Sequence, residues 1–122
     1  MKRILWMIIA VIVLGAAVWG VGRSLTPGTV KFKTAYQAVL LTNGNVYYGK
    51  LEGLGGAFPI LRDVFYVQAA TDPNTKQTTS VLIRRGKEWH APDYMAINAA
   101  HILMVEPVTP ESRVAKLIAD TR

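Results

Sequence analysis

The stretch YQAVLLTNGNVYYGKL, residues 36–51, decides the fold of this chain. Two runs rich in β-branched and aromatic residues flank the pair Asn43-Gly44, which readily adopts the positive φ angles of a two-residue type I′ turn. We therefore predict a tight β-hairpin. Alternate residues counted from this turn share a face, which we predict to be the core face: Tyr36, Ala38, Leu40, Tyr47, Gly49 and Leu51.

The rest of the domain reads as short strands separated by turns. A glycine inside a strand, Gly49, predicts a bend or bulge in the second strand. Loops are predicted at residues 52–57 and 71–79, and further β segments at residues 58–70, 80–85, 101–105 and the end of 89–98. Thr109 as N-cap and Pro110 as first helical residue predict a short C-terminal helix that continues through residues 112–118. About five short strands in 70 residues indicate a small antiparallel barrel.

The first fifth of the chain predicts a membrane anchor. Residues 4–22 are uncharged and almost wholly apolar, and 19 helical residues span about 28 Å, close to the hydrocarbon thickness of a bilayer. Aromatic and charged residues near both ends are typical of interface anchors: Lys2, Arg3, Trp6, Trp19 and Arg23. A cleaved signal peptide is the alternative, which the length of the apolar run and the poor cleavage motif at residues 20–22 disfavour.

Small residues cluster in the second half of this predicted helix. Ala16 and Gly20 have the small-xxx-small spacing that lets two helices approach closely, and Gly15 lies beside them. The alternative is that such residues are common in membrane helices. We interpret the cluster as a helix-packing face. The predicted organisation is a transmembrane anchor (1–23), a linker (24–35), a small β-barrel domain (36–107) and a C-terminal helix and tail (108–122).

The charge of the chain is modest, with a formal net value of +6. From residue 23 onward twelve basic residues face eight acidic ones, so the domain carries about +4. This charge suits a surface close to anionic lipid and is less than a dedicated nucleic-acid-binding face requires. The absence of cysteine excludes disulfides and thiolate chemistry.

The residues LLTNGNVYYGKLEG, followed by ILRDVFYV and INAAHILMV, resemble the Sm-like small β-barrel family. Gly49, Leu51 and Asp63 match its first signature in pattern, and residues 97–102 lie where its second signature is expected. The resemblance implies a five-stranded barrel. The chain is also similar to a group of small membrane-anchored bacterial proteins, to which no activity is assigned, with an LTNG-x-VYYGKL hairpin and an LIRRG-x-E-x-H segment.

Sm-like proteins bind RNA through an Asn in the loop before the third strand and an Arg-Gly pair in the second signature. The corresponding positions here are near Gly55, Gly56 and Ala57, and at Asn98 and Ala99. Both depart from the family pattern, so the resemblance implies the barrel without its RNA site.

Candidate chemistry outside the resemblance is sparse. His90 and Asp93 lie close in sequence, but a metal site needs three or four converging ligands, so we predict neither a metal site nor a cofactor. No nucleophile elbow or phosphate-binding loop occurs, and we predict that the chain is not an enzyme. A possible partner surface carries amphipathic and basic residues, against the alternative that they only cap the barrel or face water: Arg84, Arg85, Trp89, His90, Pro92 and Tyr94.

These features predict a non-catalytic accessory or scaffolding subunit that docks on a larger membrane protein complex or on copies of itself. Its helix and barrel would both contact the partner, in the bacterial inner membrane. The short basic start followed at once by the apolar run resembles a signal-anchor, which favours a barrel outside the cytoplasm. The alternative function is a membrane-tethered Sm-like module that binds nucleic acid.

Overall fold

The computed structural model describes residues 30–121. This part of the chain contains six strands, a single 3₁₀ turn and one helix: β1 (Gln37–Leu41), β2 (Val46–Glu52), β3 (Ile60–Thr71), β4 (Thr78–Arg84), β5 (Tyr94–Ala96), the 3₁₀ turn (Ala99–His101), β6 (Ile102–Pro107) and α1 (Arg113–Asp120). The predicted mainly antiparallel β domain with a short C-terminal helix is therefore confirmed. The predicted strand boundaries differ by one or two residues, and the short extended end of residues 89–98 forms the additional strand β5.

The strands form one antiparallel sheet in the order β4-β3-β2-β1-β6. The long strand β3 pairs with β2 along one edge, and its other edge is shared by β5 near its start and β4 further along. A core of Val39, Leu61, Val64 and Ile97 also receives side chains from β5 and β6. Because strands from distant parts of the sheet order contact the same core, the sheet curls around it.

The hairpin of β1 and β2 is confirmed, but its predicted two-residue turn is wrong. Thr42, Asn43 and Gly44 form a three-residue loop, closed by a hydrogen bond from the Leu41 N–H to the Asn45 carbonyl (2.9 Å). Of these three loop residues, only Gly44 has a positive φ, +88°. The Asn43 side chain accepts a hydrogen bond from the Asn45 N–H (3.0 Å), which stabilises the loop in this form.

This extra loop residue moves the register of the hairpin by one position. Val39 lies opposite Tyr47, and Gln37 lies opposite Gly49. The predicted core face is therefore right for Tyr47, Gly49 and Leu51 and wrong for the β1 side. A shift of one residue moves every side chain of a strand to the other face. The three residues that leave the core face are Tyr36, Ala38 and Leu40, and those that take their place are Gln37, Val39 and Leu41.

The sheet is irregular at Gly49, but the extra residue lies in β3 and not in β2, where a bend or bulge was predicted. The register between β2 and β3 shifts between Tyr48 and Lys50, because β3 contains one extra residue there. A Cβ atom on Gly49 would lie 2.7 Å from both the Arg62 carbonyl oxygen and the Leu61 Cγ. Only glycine fits where the two strands approach this closely.

The C-terminal helix begins later than predicted. Ser112, not Thr109, is the N-cap, and its hydroxyl accepts a hydrogen bond from the Ala115 N–H (3.1 Å). Pro110 lies in a turn closed by the Ser112 N–H and the Thr109 carbonyl (3.0 Å). Helix α1 contacts β4 and buries Ile118. The segment leading into α1 lines a groove with Ala38 and other residues of the outer face, which is the face of the sheet opposite the core.

The predicted membrane anchor, residues 4–22, lies outside the described residues, and so do its packing and interface residues. No helix within residues 30–121 has the length and apolar character needed to span a membrane.

Candidate functional site

A row of cations and aromatic rings crosses the outer face of the sheet. Lys50 on β2 lies opposite Arg62 on β3, which in turn lies opposite Tyr94 on β5. The Lys50 Nζ is 5.5 Å from the centre of the Tyr36 ring, and the Arg62 Cζ is 5.2 Å from the centre of the Tyr94 ring. Directly opposite residues of antiparallel strands point to the same face, so both cations share one surface with a ring at each end.

Asp63 follows this row and forms a bulge in β3. It has a positive φ of 51°, and it lies where β3 contains its extra residue relative to β2. Asp tolerates this backbone conformation better than most residues. Because the bulge interrupts the alternation, Leu61 and Val64 both enter the core although they are three residues apart.

The Asp63 carboxylate joins β3, β4 and the residue that precedes β1 into a polar network. The Tyr36 hydroxyl donates a hydrogen bond to Oδ2, and the Arg84 Nη2 lies 2.9 Å from Oδ1. The Asp63 side chain is only 16% exposed, whereas that of Arg84 is 59% exposed. Arg84 also lies over the buried Phe65 ring, with its Cζ 5.9 Å from the ring centre. Asp63 and the Phe65 ring therefore hold the exposed Arg84 guanidinium in one position.

Lys50, Arg62, Asp63, Arg84 and Tyr94 line the basic cleft, a depression of about 650 Å³ on the outer face. Five cationic and two anionic side chains contribute to it, which gives a formal charge of +3. Two neighbouring carboxylates reduce this charge, since Glu52 pairs with Arg62 at 3.2 Å and Glu88 pairs with Arg85 at 3.0 Å. The lining consists of Lys50, Arg62, Asp63, Val64, Arg84, Arg85, Gly86, Lys87, Ala91, Pro92, Asp93, Tyr94 and Met95.

The loop after β4 is held by Glu88. Its carboxylate accepts hydrogen bonds from the Gly86 N–H (2.8 Å) and from the Arg85 Nε (3.0 Å). The backbone N–H of Gly86, more than the Arg85 guanidinium, lowers the pKa of Glu88 to about 2. Arg85 also donates to the Met95 Sδ (3.0 Å), so it ties the loop to β5. Arg85 is thus engaged in holding the loop, whereas Arg84 and Lys87 are exposed at the cleft.

The cleft gathers only part of the predicted partner surface. Arg84, Arg85, Pro92 and Tyr94 line it, but Trp89 and His90 do not. Both of those residues are exposed. Among the residues that the structure describes, no three His, Cys, Asp or Glu side chains converge as they would around a metal ion.

The positions implied by the Sm resemblance lie elsewhere. Gly55, Gly56 and Ala57 are exposed in the loop between β2 and β3. The Asn98 side chain caps the 3₁₀ turn by accepting a hydrogen bond from the Ala100 N–H (3.0 Å), and the Ala99 N–H donates to the Ala57 carbonyl (2.9 Å). Asn98 therefore acts locally, in holding the turn before β6.

A second exposed surface follows the edge strand β6. Leu103 and Met104 are 63% and 44% exposed. The ladder between β1 and β6 shifts register beside them, between Leu40 and Leu41. Within residues 30–121, β6 pairs with β1 alone, which leaves its other edge available to another strand.

Sequence reasoning missed the row itself. Alternation along β2 and β3 predicts that Lys50 and Arg62 point outward, but only the register decides that they lie opposite each other. The loop between β2 and β3 sets that register, and the bulge at Asp63 changes it only beyond Arg62. The signal within the sequence was Asp63, a residue that tolerates positive φ, in the middle of an apolar strand.

No family model matches the sequence, and no curated protein is significantly similar to it.

Proposed function

We propose that this chain is a non-catalytic accessory or scaffolding subunit of a bacterial membrane protein complex, which docks through its transmembrane helix and its β domain. The observation that carries the proposal is the apolar edge of β6, where Leu103 and Met104 are exposed. Edge strands offer unpaired backbone groups to other chains, and exposed apolar side chains beside them add affinity. A partner that covers this edge accounts for two neighbouring exposed apolar side chains on a strand with an edge that is unpaired within residues 30–121.

The β domain is proposed to be a small barrel of the Sm-like kind. The sheet order and the shared core support this proposal, because β5, which pairs with β3, and the edge strand β6 at the far end of the sheet both contribute side chains to one core. We also propose that the chain is related to the small membrane-anchored bacterial proteins that it resembles. The shared LTNG-x-VYYGKL and LIRRG-x-E-x-H segments support this proposal.

The anchor is proposed to be the uncleaved helix at residues 4–22, in the inner membrane. Its apolar length and its flanking Trp and basic residues support this reading. Ala16 and Gly20 are proposed to contact another helix in the complex, because their spacing permits close backbone approach.

The test is extraction of the native protein in mild detergent, followed by native-gel sizing and identification of the proteins that co-migrate. Met104→Lys should reduce co-migration, because it charges the proposed docking edge. The matched control is Val81→Lys, since Val81 is 45% exposed and lies on β4. Recovery of the wild type only as a free monomer contradicts the proposal, and a complex containing only this chain assigns the edge to self-association.

The helix contribution is tested separately with Ala16→Leu combined with Gly20→Leu. These changes should weaken assembly and leave membrane insertion intact, because added bulk separates the helices without lowering hydropathy. Release of the protein from membranes by carbonate would contradict the anchor itself.

The β domain is proposed to lie outside the cytoplasm. Thr75 lies exposed in the loop between β3 and β4, and the chain has no cysteine, so Thr75→Cys provides a unique labelling site. Labelling by an impermeant thiol reagent on intact spheroplasts is expected. Protection until lysis would reverse the assignment.

The second candidate is a membrane-tethered Sm-like module that binds nucleic acid. The observation that favours it is the outer-face row, in which cations and aromatic rings alternate as on single-strand-binding surfaces. Filter binding of single-stranded RNA by the full chain in neutral detergent tests it. Strong retention that falls steeply with salt would favour this candidate over the first.

A further inference from the structure

We propose that the basic cleft binds the phosphate groups of anionic lipids in the membrane that carries the chain, so that the β domain makes a second contact with the bilayer. This inference rests on the membrane anchor of the proposed function. It assigns a ligand class to Lys50, Arg62, Arg84 and Lys87. With Arg85, the cleft has five cations against the four carboxylates of Glu52, Asp63, Glu88 and Asp93.

The first argument is the charge arrangement. Like charges directly opposite each other on antiparallel strands repel, and Lys50 and Arg62 are such a pair. Arg62 has Glu52 at 3.2 Å, but no carboxylate of residues 30–121 lies within 4.0 Å of the Lys50 Nζ. A bound phosphate would relieve the repulsion, because its oxygens accept hydrogen bonds from both cations.

The second argument is preorganisation. Asp63 holds Arg84 through Nη2, and a guanidinium carries five N–H donors, so donors remain for a second anion. Glu88 and Arg85 hold the loop that carries Lys87. Arg84 therefore loses little conformational freedom on binding, and the backbone that carries Lys87 is already in place, which favours affinity.

The third argument is location. The chain arrives at the domain beside the cleft, because Val30, Lys31 and Phe32 line one groove with Lys50. Seven residues, 23–29, separate the proposed helix from Val30, and they reach about 25 Å at most. Lys31 and Lys33 are exposed on the same approach. This side of the domain is thus held near the lipid surface, where anionic headgroups attract basic groups within a Debye length.

The aromatic rings favour lipid over nucleic acid. Binding of single-stranded nucleic acid uses ring faces on which bases stack. Here the Tyr36 ring lies under Lys50 and meets the Phe65 ring at 6.3 Å, while the Tyr94 ring lies under Arg62. Each ring face is covered by a cation, so the surface exposes charged groups and not ring faces on which bases could stack.

The test uses the full chain in lipid nanodiscs, made of phosphatidylcholine alone or with phosphatidylglycerol. His90→Cys places a fluorophore on the loop beside the cleft, and Thr75→Cys places one on the distant loop between β3 and β4. Nitroxide-headgroup lipids quench a fluorophore that lies close to the bilayer surface. Quenching at residue 90 should rise when phosphatidylglycerol is present and fall again with added salt, whereas quenching at residue 75 should stay unchanged.

Charge reversal tests which residues are responsible. Lys50→Glu combined with Lys87→Glu should abolish the rise at residue 90, and Lys87→Glu alone should reduce it without affecting the strand. The matched control is Lys116→Glu, because Lys116 is exposed on α1 and absent from the cleft lining. Circular dichroism of each variant establishes that the sheet is retained.

Each contrary outcome has its own meaning. A chain that does not co-elute with neutral discs refutes the anchor and the lipid site with it. A chain that co-elutes but shows equal quenching at residue 90 in both disc types refutes the lipid site alone, as does a rise that survives both charge reversals. Single-stranded RNA that binds in neutral discs and is lost on the same reversals assigns the cleft to nucleic acid.

Discussion

The first half of β3, residues 60–65, and its second half, residues 66–71, have similar strand-forming sequences but different surroundings. Residues 60–62 pair with β2 on one edge and β5 on the other, and Leu61 is fully buried. Residues 67–71 are exposed and, within the described chain, pair with β4 alone. The difference teaches that neighbouring strands, not the residues' own β propensity, decide which part of a strand carries the stability of the fold.

The largest expected effect separates these halves directly. Leu61→Ala should lower the free energy of unfolding by about 2–5 kcal/mol, because it leaves a cavity in a closed core. Val67→Ala should cost about 1 kcal/mol or less, because Val67 already faces solvent. Urea denaturation of the full chain in detergent, followed by circular dichroism, measures both. Equal losses would mean that the second half is also packed in solution.

The next effect sharpens the role of the close contact between β2 and the first half of β3. Gly49→Ala should destabilise the domain by about 1–3 kcal/mol, because its Cβ would overlap the Arg62 carbonyl oxygen and the Leu61 side chain. Gly56→Ala is the control, since Gly56 is exposed in the following loop and its added Cβ would lie 3.3 Å from the Gly53 carbonyl oxygen, a milder contact than the 2.7 Å at Gly49. The same denaturation measurement applies, and a neutral Gly49→Ala would contradict the register described for β2 and β3.

The junction between the two halves is Asp63, and its network is expected to have an intermediate effect. Tyr36→Phe should cost about 0.5–1.5 kcal/mol and Asp63→Asn about 1–3 kcal/mol, since each removes a partner from a half-buried hydrogen bond. A double-mutant cycle should yield a coupling energy of at least about 0.5 kcal/mol. Strict additivity would indicate that Tyr36 and Asp63 do not interact in solution.

The smallest effect concerns the loop between β4 and β5. Strand β4 pairs mainly with the second half of β3, and β5 pairs with the first half. The pKa of Glu88 is lowered from 4.5 to about 2, chiefly by the Gly86 N–H. A lowered folded-state pKa contributes stability above pH 4.5 that is lost as the pH falls toward about 2. Glu88→Gln should therefore lose less stability than the wild type over that range. Parallel acid titrations followed by circular dichroism would contradict this prediction if they coincided.

The hairpin illustrates how far sequence reasoning reached into the fold. Asn43-Gly44 located the turn correctly, but a three-residue loop satisfies the same residues as a two-residue one, and the choice shifts the register by one. The apolar pattern of β1 did not resolve this choice. Ala38 and Leu40 face a groove beside the segment leading into α1, so both faces of the strand are apolar.

Gln37 explains why the pattern also pointed the wrong way. A polar residue was expected to face outward, but its side chain is buried and donates to the Thr34 carbonyl (2.7 Å) and accepts from the Leu51 N–H (2.9 Å). A buried amide with satisfied hydrogen bonds costs little, and one of its partners, Leu51, lies on the neighbouring strand β2. Such a position is invisible to a rule based on polarity alone.

The candidate site depended still more on tertiary structure. The sequence singled out Arg84, Arg85 and Tyr94 as part of a surface, because basic and aromatic residues cluster there. It offered no reason to join them to Lys50 and Arg62, which lie on other strands. The pairing of β3 with β2 and β5 joins Lys50, Arg62 and Tyr94, and Arg84 enters from β4 just beyond the bulge at Asp63.

Taken by itself, the sequence determined the mainly antiparallel strands, the position of the hairpin turn, an irregularity at Gly49 and the short C-terminal helix. These features follow from local properties, namely the turn preferences of Asn and Gly, β-branched runs and a glycine within a strand. Only the tertiary structure decided the hairpin register, the face that β1 buries and the meeting of Lys50, Arg62, Arg84 and Tyr94. The physical reason is that side chains alternate with a period of two, so one extra residue in a loop or bulge inverts every assignment beyond it.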